Sequence, residues 1–131
     1  RSIGVGSTTP ASASEGLVEL VDLFPTLAEL CGLSPPPDLQ GQSLVDMLND
    51  PQVSGKEIAY TVVTRGPHLG KAIRTPRYRY TLWPTGEELY DLSADPDEQT
   101  NLAISSKFDE TLETMRKKLS AAEAKAVARR R

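Results

Sequence analysis

The sequence predicts an α+β fold: a small four-stranded antiparallel sheet packed by one long C-terminal helix. Two observations carry that prediction. Between Ile58 and Leu92, short runs of β-branched, aromatic and aliphatic residues alternate with polar ones, and turn residues such as Thr75-Pro76 and Pro84-Thr85-Gly86 divide them. That is the period of half-buried strands in a meander. Beyond them, Phe108, Leu112, Met115, Leu119, Ala122 and Ala126 recur at helical spacing as one apolar stripe. A helix of that kind covers a sheet face that water would otherwise reach.

Taken in order, residues 1–16 are rich in Gly, Ser, Thr and Ala without a hydrophobic period and read as a loop. Leu17 to Leu20 form a short lead-in. Asp22 fits an N-cap, with Pro25 tolerated in the first turn, and Leu23, Leu27 and Leu30 share one face of a helix over 22–31 that Gly32 stops. Ser34-Pro35-Pro36-Pro37 is an extended linker. Ser43 caps a short helix through Leu48, ended by Asn49-Asp50-Pro51, and the stretch from Pro35 to Gly55 is a surface excursion.

Ile58 to Val63 is a strand, and Lys71–Thr75 pairs with Tyr78–Trp83 around a Thr-Pro turn. Tyr78, Tyr80 and Leu82 face one side of that arm, and Arg77, Arg79 and Thr81 the other. Glu88 to Leu92 is an edge strand leading through Asp95-Pro96-Asp97-Glu98, a tight acidic turn. Ser106 with Asp109 reads as a capping box opening a helix over about 106–129. The length of 131 residues fits one domain, able to bury about two-thirds of its unfolded surface.

Composition excludes several classes. A net charge of −3 offers nothing to nucleic acid or an anionic membrane. Arg129-Arg130-Arg131 read as a solvated helix end beside its negative dipole rather than a polyanion patch. A single cysteine makes no internal disulfide. No apolar run approaches the ~18 residues of a membrane span, and Arg1-Ser2-Ile3 opens no secretory signal. A chain beginning with Arg fits a fragment or a processed product.

Three places carry chemistry-bearing side chains. Cys31 stands at a helix end among apolar residues and reads as a packed thiol. Asp91, Asp95, Asp97 and Glu98 offer oxygen ligands of the hard-cation type, but the glycine and closing glutamate of a calcium loop are missing, so a capped acidic turn is favoured. The run Thr64-Arg65-Gly66-Pro67-His68-Leu69-Gly70-Lys71 reads as a loop bearing Arg65, the sole histidine His68, and Lys71. Those cations suit orientation of an anionic substrate, against the alternative of a solvated basic loop. Arg74, Arg77 and Arg79 are expected to pair with acids such as Glu88 or Asp91 across the sheet.

Three segments, within 86–103, 21–44 and 73–80, together resemble the sulfatases of the alkaline-phosphatase-like superfamily, nearest to iduronate-2-sulfatase-like and other glycan sulfatases. Gly86-Glu87-Glu88-Leu89-Tyr90-Asp91-Leu92 followed by Asp95-Pro96-Asp97-Glu98-Gln99-Thr100-Asn101-Leu102-Ala103 is similar to that family's closing strand and turn. Val21-Asp22-Leu23-Phe24-Pro25-Thr26-Leu27, with Leu39-Gln40-Gly41-Gln42-Ser43-Leu44 after it, resembles a family helix and the loop that follows. Ile73-Arg74-Thr75-Pro76-Arg77-Tyr78-Arg79-Tyr80 resembles its hairpin. All three occur in the family's order.

The resemblance implies the C-terminal part of an α/β sulfatase fold. Residues 1–55 would be the trailing edge of the catalytic domain and 56–131 the C-terminal subdomain. It implies sulfate-ester hydrolysis, of sulfated sugars, by a parent enzyme whose formylglycine nucleophile and Ca²⁺ lie in an N-terminal part. This chain would then supply no catalytic residue and no metal ligand. Cys31-Gly32-Leu33-Ser34-Pro35 departs from the formylglycine motif C-x-[PA]-S-R at its third and fifth positions, and no Asp-Asp or Asp-His pair is present. Partners implied are the remainder of the catalytic domain and a sulfated carbohydrate. A strand preceding residue 1 would pack part of the helix at 22–31. Arg65, His68 and Lys71, in a loop over 64–71, would reach the substrate cleft. A periplasmic, extracellular or lysosomal location follows from the family alone. The rival readings are a phosphodiesterase or phosphonate monoester hydrolase of the same superfold, and a non-catalytic module binding acidic glycans.

Overall fold

A computed structural model describes residues 13–128, so the arginines at 129–131 and the first twelve residues of the loop read over 1–16 lie outside the described residues. The chain divides into two compact units, Arg1–Lys56 and Glu57–Arg131.

In the first unit a 3-10 turn, Leu20–Asp22, runs into helix α1, Leu23–Leu30, and a short helix α2 follows at Val45–Asn49. Asp22 precedes α1 but does not cap it. Its buried carboxylate turns away and accepts from the backbone N–H of Glu19 at 2.8 Å and of Gln42 at 2.9 Å, and from Lys56 Nζ at 2.6 Å. Burial pushes the Asp22 carboxyl up, but these hydrogen bonds and the Lys56 charge outweigh it and hold the group below its ordinary value. Thr26 adds a second clasp: its Oγ1 donates to the Asp22 carbonyl at 2.6 Å and accepts from Leu44 N–H at 2.9 Å. Gly41 lies so close that a Cβ would stand 1.9 Å from the Val21 carbonyl oxygen. The helix run at 21–27 and the loop run at 39–44 are therefore two sides of one joint.

That joint decides which face of α1 is covered. Pro25, Thr26 and Ala28 are buried, whereas Leu23, Leu27 and Leu30 are 51%, 59% and 37% exposed. The leucine spacing is helical as expected, but the clasped face is the polar-anchored one. Cys31, expected as a packed thiol, is likewise exposed. Ser43 Oγ accepts from Val45 N–H at 3.2 Å at the start of α2, one position ahead of the cap itself.

The second unit is an antiparallel meander in the order β1-β2-β3-β4, built from Ala59–Arg65, His68–Arg74, Tyr78–Trp83 and Gly86–Asp91. Arg65 pairs with His68 across β1 and β2, leaving only Gly66 and Pro67 as the turn. The loop expected over 64–71 is thus a tight hairpin. Gly66 at φ +59° takes the left-handed conformation the turn needs, and pairing reaches the tip because no residue between Thr64 and Lys71 other than Pro67 lacks a ladder donor.

Helix α3, Asp109–Ala128, lies on one face of the sheet. Ile73, Tyr80 and Leu89 from three strands meet Leu112, Met115 and Leu119 of the helix stripe, with Phe108 and Ala122 packed at the margin. A 3-10 turn at Ser106–Phe108 precedes α3, and no side-chain cap bond forms there, so the capping box is not made. Asp109 and Glu110 instead set negative charge on the first turn. Two ion pairs fasten the helix to the sheet, Lys71 to Glu123 and Arg116 to Glu87.

The acidic segment serves the edge strand. Asn101 Oδ1 accepts from Leu89 N–H and Ala103 N–H, both at 3.0 Å, while its Nδ2 donates to the Glu87 carbonyl at 3.0 Å. Part of the open edge of β4 is thereby closed. Asp95 accepts from Gln99 N–H and Thr100 N–H. Arg77 pairs with Asp91 across the strands, as expected, and Arg79 reaches Glu98 rather than Glu88.

Glu87 also holds the buried Tyr80 hydroxyl, which donates to its Oε1 at 2.5 Å. Hydrogen bonding from Arg116 first, then from Tyr80, pulls the Glu87 carboxyl from 4.5 down to about 2 against the opposing effect of burial. A depressed folded-state value adds stability above pH 4.5 that is lost as pH falls toward about 2. Glu87→Gln, which cannot titrate, should flatten the pH dependence in that window. Urea unfolding followed by Trp83 fluorescence across it, wild type against variant, measures the difference.

Candidate functional site

Strand parity sorts the candidate residues. Ile73, Tyr80 and Leu89 face α3, and Lys71 shares their side of β2. Its ammonium is engaged by Glu123 of the helix, whose hydrogen bond raises its pKa. Arg65 and His68, directly paired across β1 and β2, fall on the opposite face together with Gly70, Ala72, Thr81 and Trp83. The structure therefore brings Arg65 and His68 together and sets Lys71 apart from them.

Both Arg65 and His68 are exposed. The Arg65 guanidinium lies over the Trp83 ring, its Cζ 5.1 Å from the ring centroid. Arg77, Arg79 and Arg116 each pair with a carboxylate, whereas Arg65 has no such ion pair among the described residues. A cation–π contact takes up no N–H donor, and no carboxylate pairs with Arg65 among the described residues, so its donors are available to an anion. The tip thus offers a forked cation and an imidazole side by side on a short turn, an arrangement suited to a sulfate or carboxylate group.

Trp83 was not among the residues singled out from sequence. The signal was present in the alternation of β3, which puts Trp83 on the Thr81 side, and in the glycine at 70, across the ladder from it. Gly70 leaves the space the indole fills: a Cβ there would stand 2.5–2.7 Å from Cζ3, Cε3 and Cη2.

No group of three or more His, Cys, Asp or Glu side chains gathers as a metal site among the described residues. Three of the four carboxylates of the acidic turn are committed elsewhere, Asp91 to Arg77 and the Ser93 N–H, Asp95 to two backbone amides and Glu98 to Arg79. Engaged in this way, the acidic turn does not fit a Ca²⁺ site among the described residues. No helix among the described residues is long and apolar enough to cross a membrane.

Comparison with known proteins agrees with this architecture. A family model described as N-sulphoglucosamine sulphohydrolase, C-terminal, matches residues 6–125. A Delta 4,5-hexuronate-2-O-sulfatase of Bacteroides thetaiotaomicron is 38% identical over 102 residues, 70% of this chain and 21% of that protein. Among solved structures, a 2-O GAG sulfatase superposes with a TM-score of 0.71 at 32% identity, over 79% of this chain and 24% of the other. A phosphonate monoester hydrolase of Agrobacterium radiobacter follows with a TM-score of 0.62 at 27% identity, covering 79% of this chain and 24% of that one. The chain thus spans about a fifth of the length of the curated relatives it matches. Its meander, its fastened C-terminal helix and a family match across nearly its whole length make it a member of the N-sulphoglucosamine sulphohydrolase C-terminal family, the C-terminal portion of sulfatases.

Proposed function

We propose that this chain is the C-terminal part of an enzyme that hydrolyses sulfate esters of sulfated sugars, and that its β1–β2 hairpin reaches the rim of the substrate cleft. The observation that carries the reading is the family match over 6–125, joined to an exposed Arg65 with no ion-pair partner among the described residues. Relatives named for 2-O-sulfated hexuronate and glycosaminoglycan support the sugar class. Formylglycine and Ca²⁺ belong to the remainder of the catalytic domain. There they supply the nucleophile and neutralise sulfate oxygens.

This chain's own residues bind and orient. Arg65 presents a planar fork of N–H donors to a carboxylate or second sulfate of the sugar, and His68 borders the same site. Lys71 serves the fold through Glu123. In the enzyme containing this chain, Arg65→Ala should raise KM for a sulfated hexuronate disaccharide about tenfold with kcat little changed, the loss of one charge-assisted anion contact. Arg65→Lys should recover part of that loss, because it restores the charge but not the fork. An unchanged KM in Arg65→Ala would remove the hairpin from the cleft. The 131-residue chain alone should not turn over an aryl sulfate.

A second reading, a hydrolase of phosphonate monoesters, is favoured by the likeness to the Agrobacterium enzyme. Rates of the intact enzyme on an aryl sulfate and on an aryl phosphonate monoester decide between the two.

A further inference from the structure

Trp83 combines three features that the fold does not require of it. Its ring lies over Gly70, where any side chain would strike it. Its other contact of note is the Arg65 guanidinium. Its indole Nε1–H is buried with no hydrogen-bond partner among the described residues. A buried indole usually places its N–H on an acceptor. Here the ring's position is fixed by contact alone, with Gly70 on the neighbouring strand as floor and the guanidinium packed on it.

We propose that Trp83 is a positioning residue for Arg65, a platform that holds the guanidinium at the hairpin tip with its N–H edge turned outward to receive an anionic group of the substrate. The proposal rests on the reading of Arg65 as a cleft residue and assigns the means by which it is held. An arginine on a tight turn otherwise samples many rotamers, and ordering them on binding weakens affinity. Stacking on an indole sets that order in advance. A cation–π contact forms no hydrogen bond with the guanidinium, so it does not compete with the anion for donors. Gly70 belongs to the device, since only a residue without a side chain leaves the ring lying flat across β2.

Two measurements test this. The first is steady-state kinetics of the intact enzyme on a sulfated hexuronate disaccharide. Trp83→Leu is expected to raise KM by about as much as Arg65→Ala, about tenfold, and Trp83→Phe by less than about threefold, since an aromatic face remains. The double variant Trp83→Leu/Arg65→Ala should be no worse than Arg65→Ala alone. That non-additivity is what a merely structural role for Trp83 would not give. Additive losses, or a KM untouched by Trp83→Leu, overturn the proposal.

The second measurement uses the fact that Trp83 is the only tryptophan of the chain. Arg65→Ala, a surface change, should alter the Trp83 emission and raise its quenching by acrylamide in the 131-residue chain. Identical spectra would overturn the platform even if Trp83→Leu failed to fold. If Arg65→Ala changes the emission but leaves KM unchanged, the stacking stands, and both Arg65's place in the cleft and a positioning role for Trp83 toward substrate fall.

Discussion

Asp22→Ala is expected to cost the first unit about 3–5 kcal/mol, the scale of breaking a buried ion pair by removing one partner. Asp22 is 0% exposed and serves three donors at once, the backbone N–H groups of Glu19 and Gln42 and the Lys56 ammonium. Alanine would leave two part-buried amides without their acceptor and a cation facing a void, although Glu19 still pairs with Lys56. Amide hydrogen exchange reads the effect directly. Protection of the Gln42 and Leu44 amides should collapse, while Trp83 fluorescence in the second unit stays as it was. A loss below about 1 kcal/mol would mean that the joint between 21–27 and 39–44 is held by Thr26 and packing instead. Asp22→Asn should fall between the two, keeping one acceptor oxygen for one of the amides but turning an NH2 donor toward the other and losing the charge opposite Lys56.

Leu89→Ala should destabilise the second unit by about 2–5 kcal/mol, nearer the top of that range. Leu89 is 0% exposed on β4 and meets Tyr80, Ile73 and the α3 stripe. The cost of such a deletion depends on how far the surroundings collapse into the space left. Here ion pairs at Arg116 and Glu123 tie the helix to the sheet, which limits how far it can settle. Urea unfolding monitored at Trp83 gives the value, with the slope against urea unchanged if the unfolded state is unaffected. A small loss would show that α3 is not seated firmly over this position.

The parts of the fold that were legible in sequence are those written in one period. The stripe from Leu112 to Leu119 follows the helix repeat and buries as read. The four strands follow their alternation, and Tyr80 points inward while Arg79 points out. What the period left unwritten is set by hydrogen bonding between distant segments. The leucines of α1 have helical spacing, but Thr26 and Asp22 turn a different face toward the 39–44 run. No pattern local to the helix records that choice.

The candidate site was half legible. Arg65 and His68 declared themselves as basic residue types beside turn residues, and they do share one face of the hairpin. Lys71 was grouped with them because glycines and a proline suggested a loose loop. In a two-residue turn parity rules, and parity sends Lys71 to the helix. Trp83 lay outside the basic run altogether. Its link to Arg65 crosses three strands, a relation that appears only when the sheet is assembled.

The Gly66-Pro67 tip makes the β1–β2 hairpin an adjustable finger. Adding one pair of residues to each arm would advance a terminal cation by about 7 Å, at about 3.4 Å per residue, while returning every side chain to its original face. Removing a pair would withdraw it by the same step. The reach of the hairpin is thereby separable from the interior beneath α3. On the proposed reading, length changes confined to exposed positions would fit the tip to a longer or shorter sugar and leave Ile73, Tyr80, Leu89 and the α3 stripe alone.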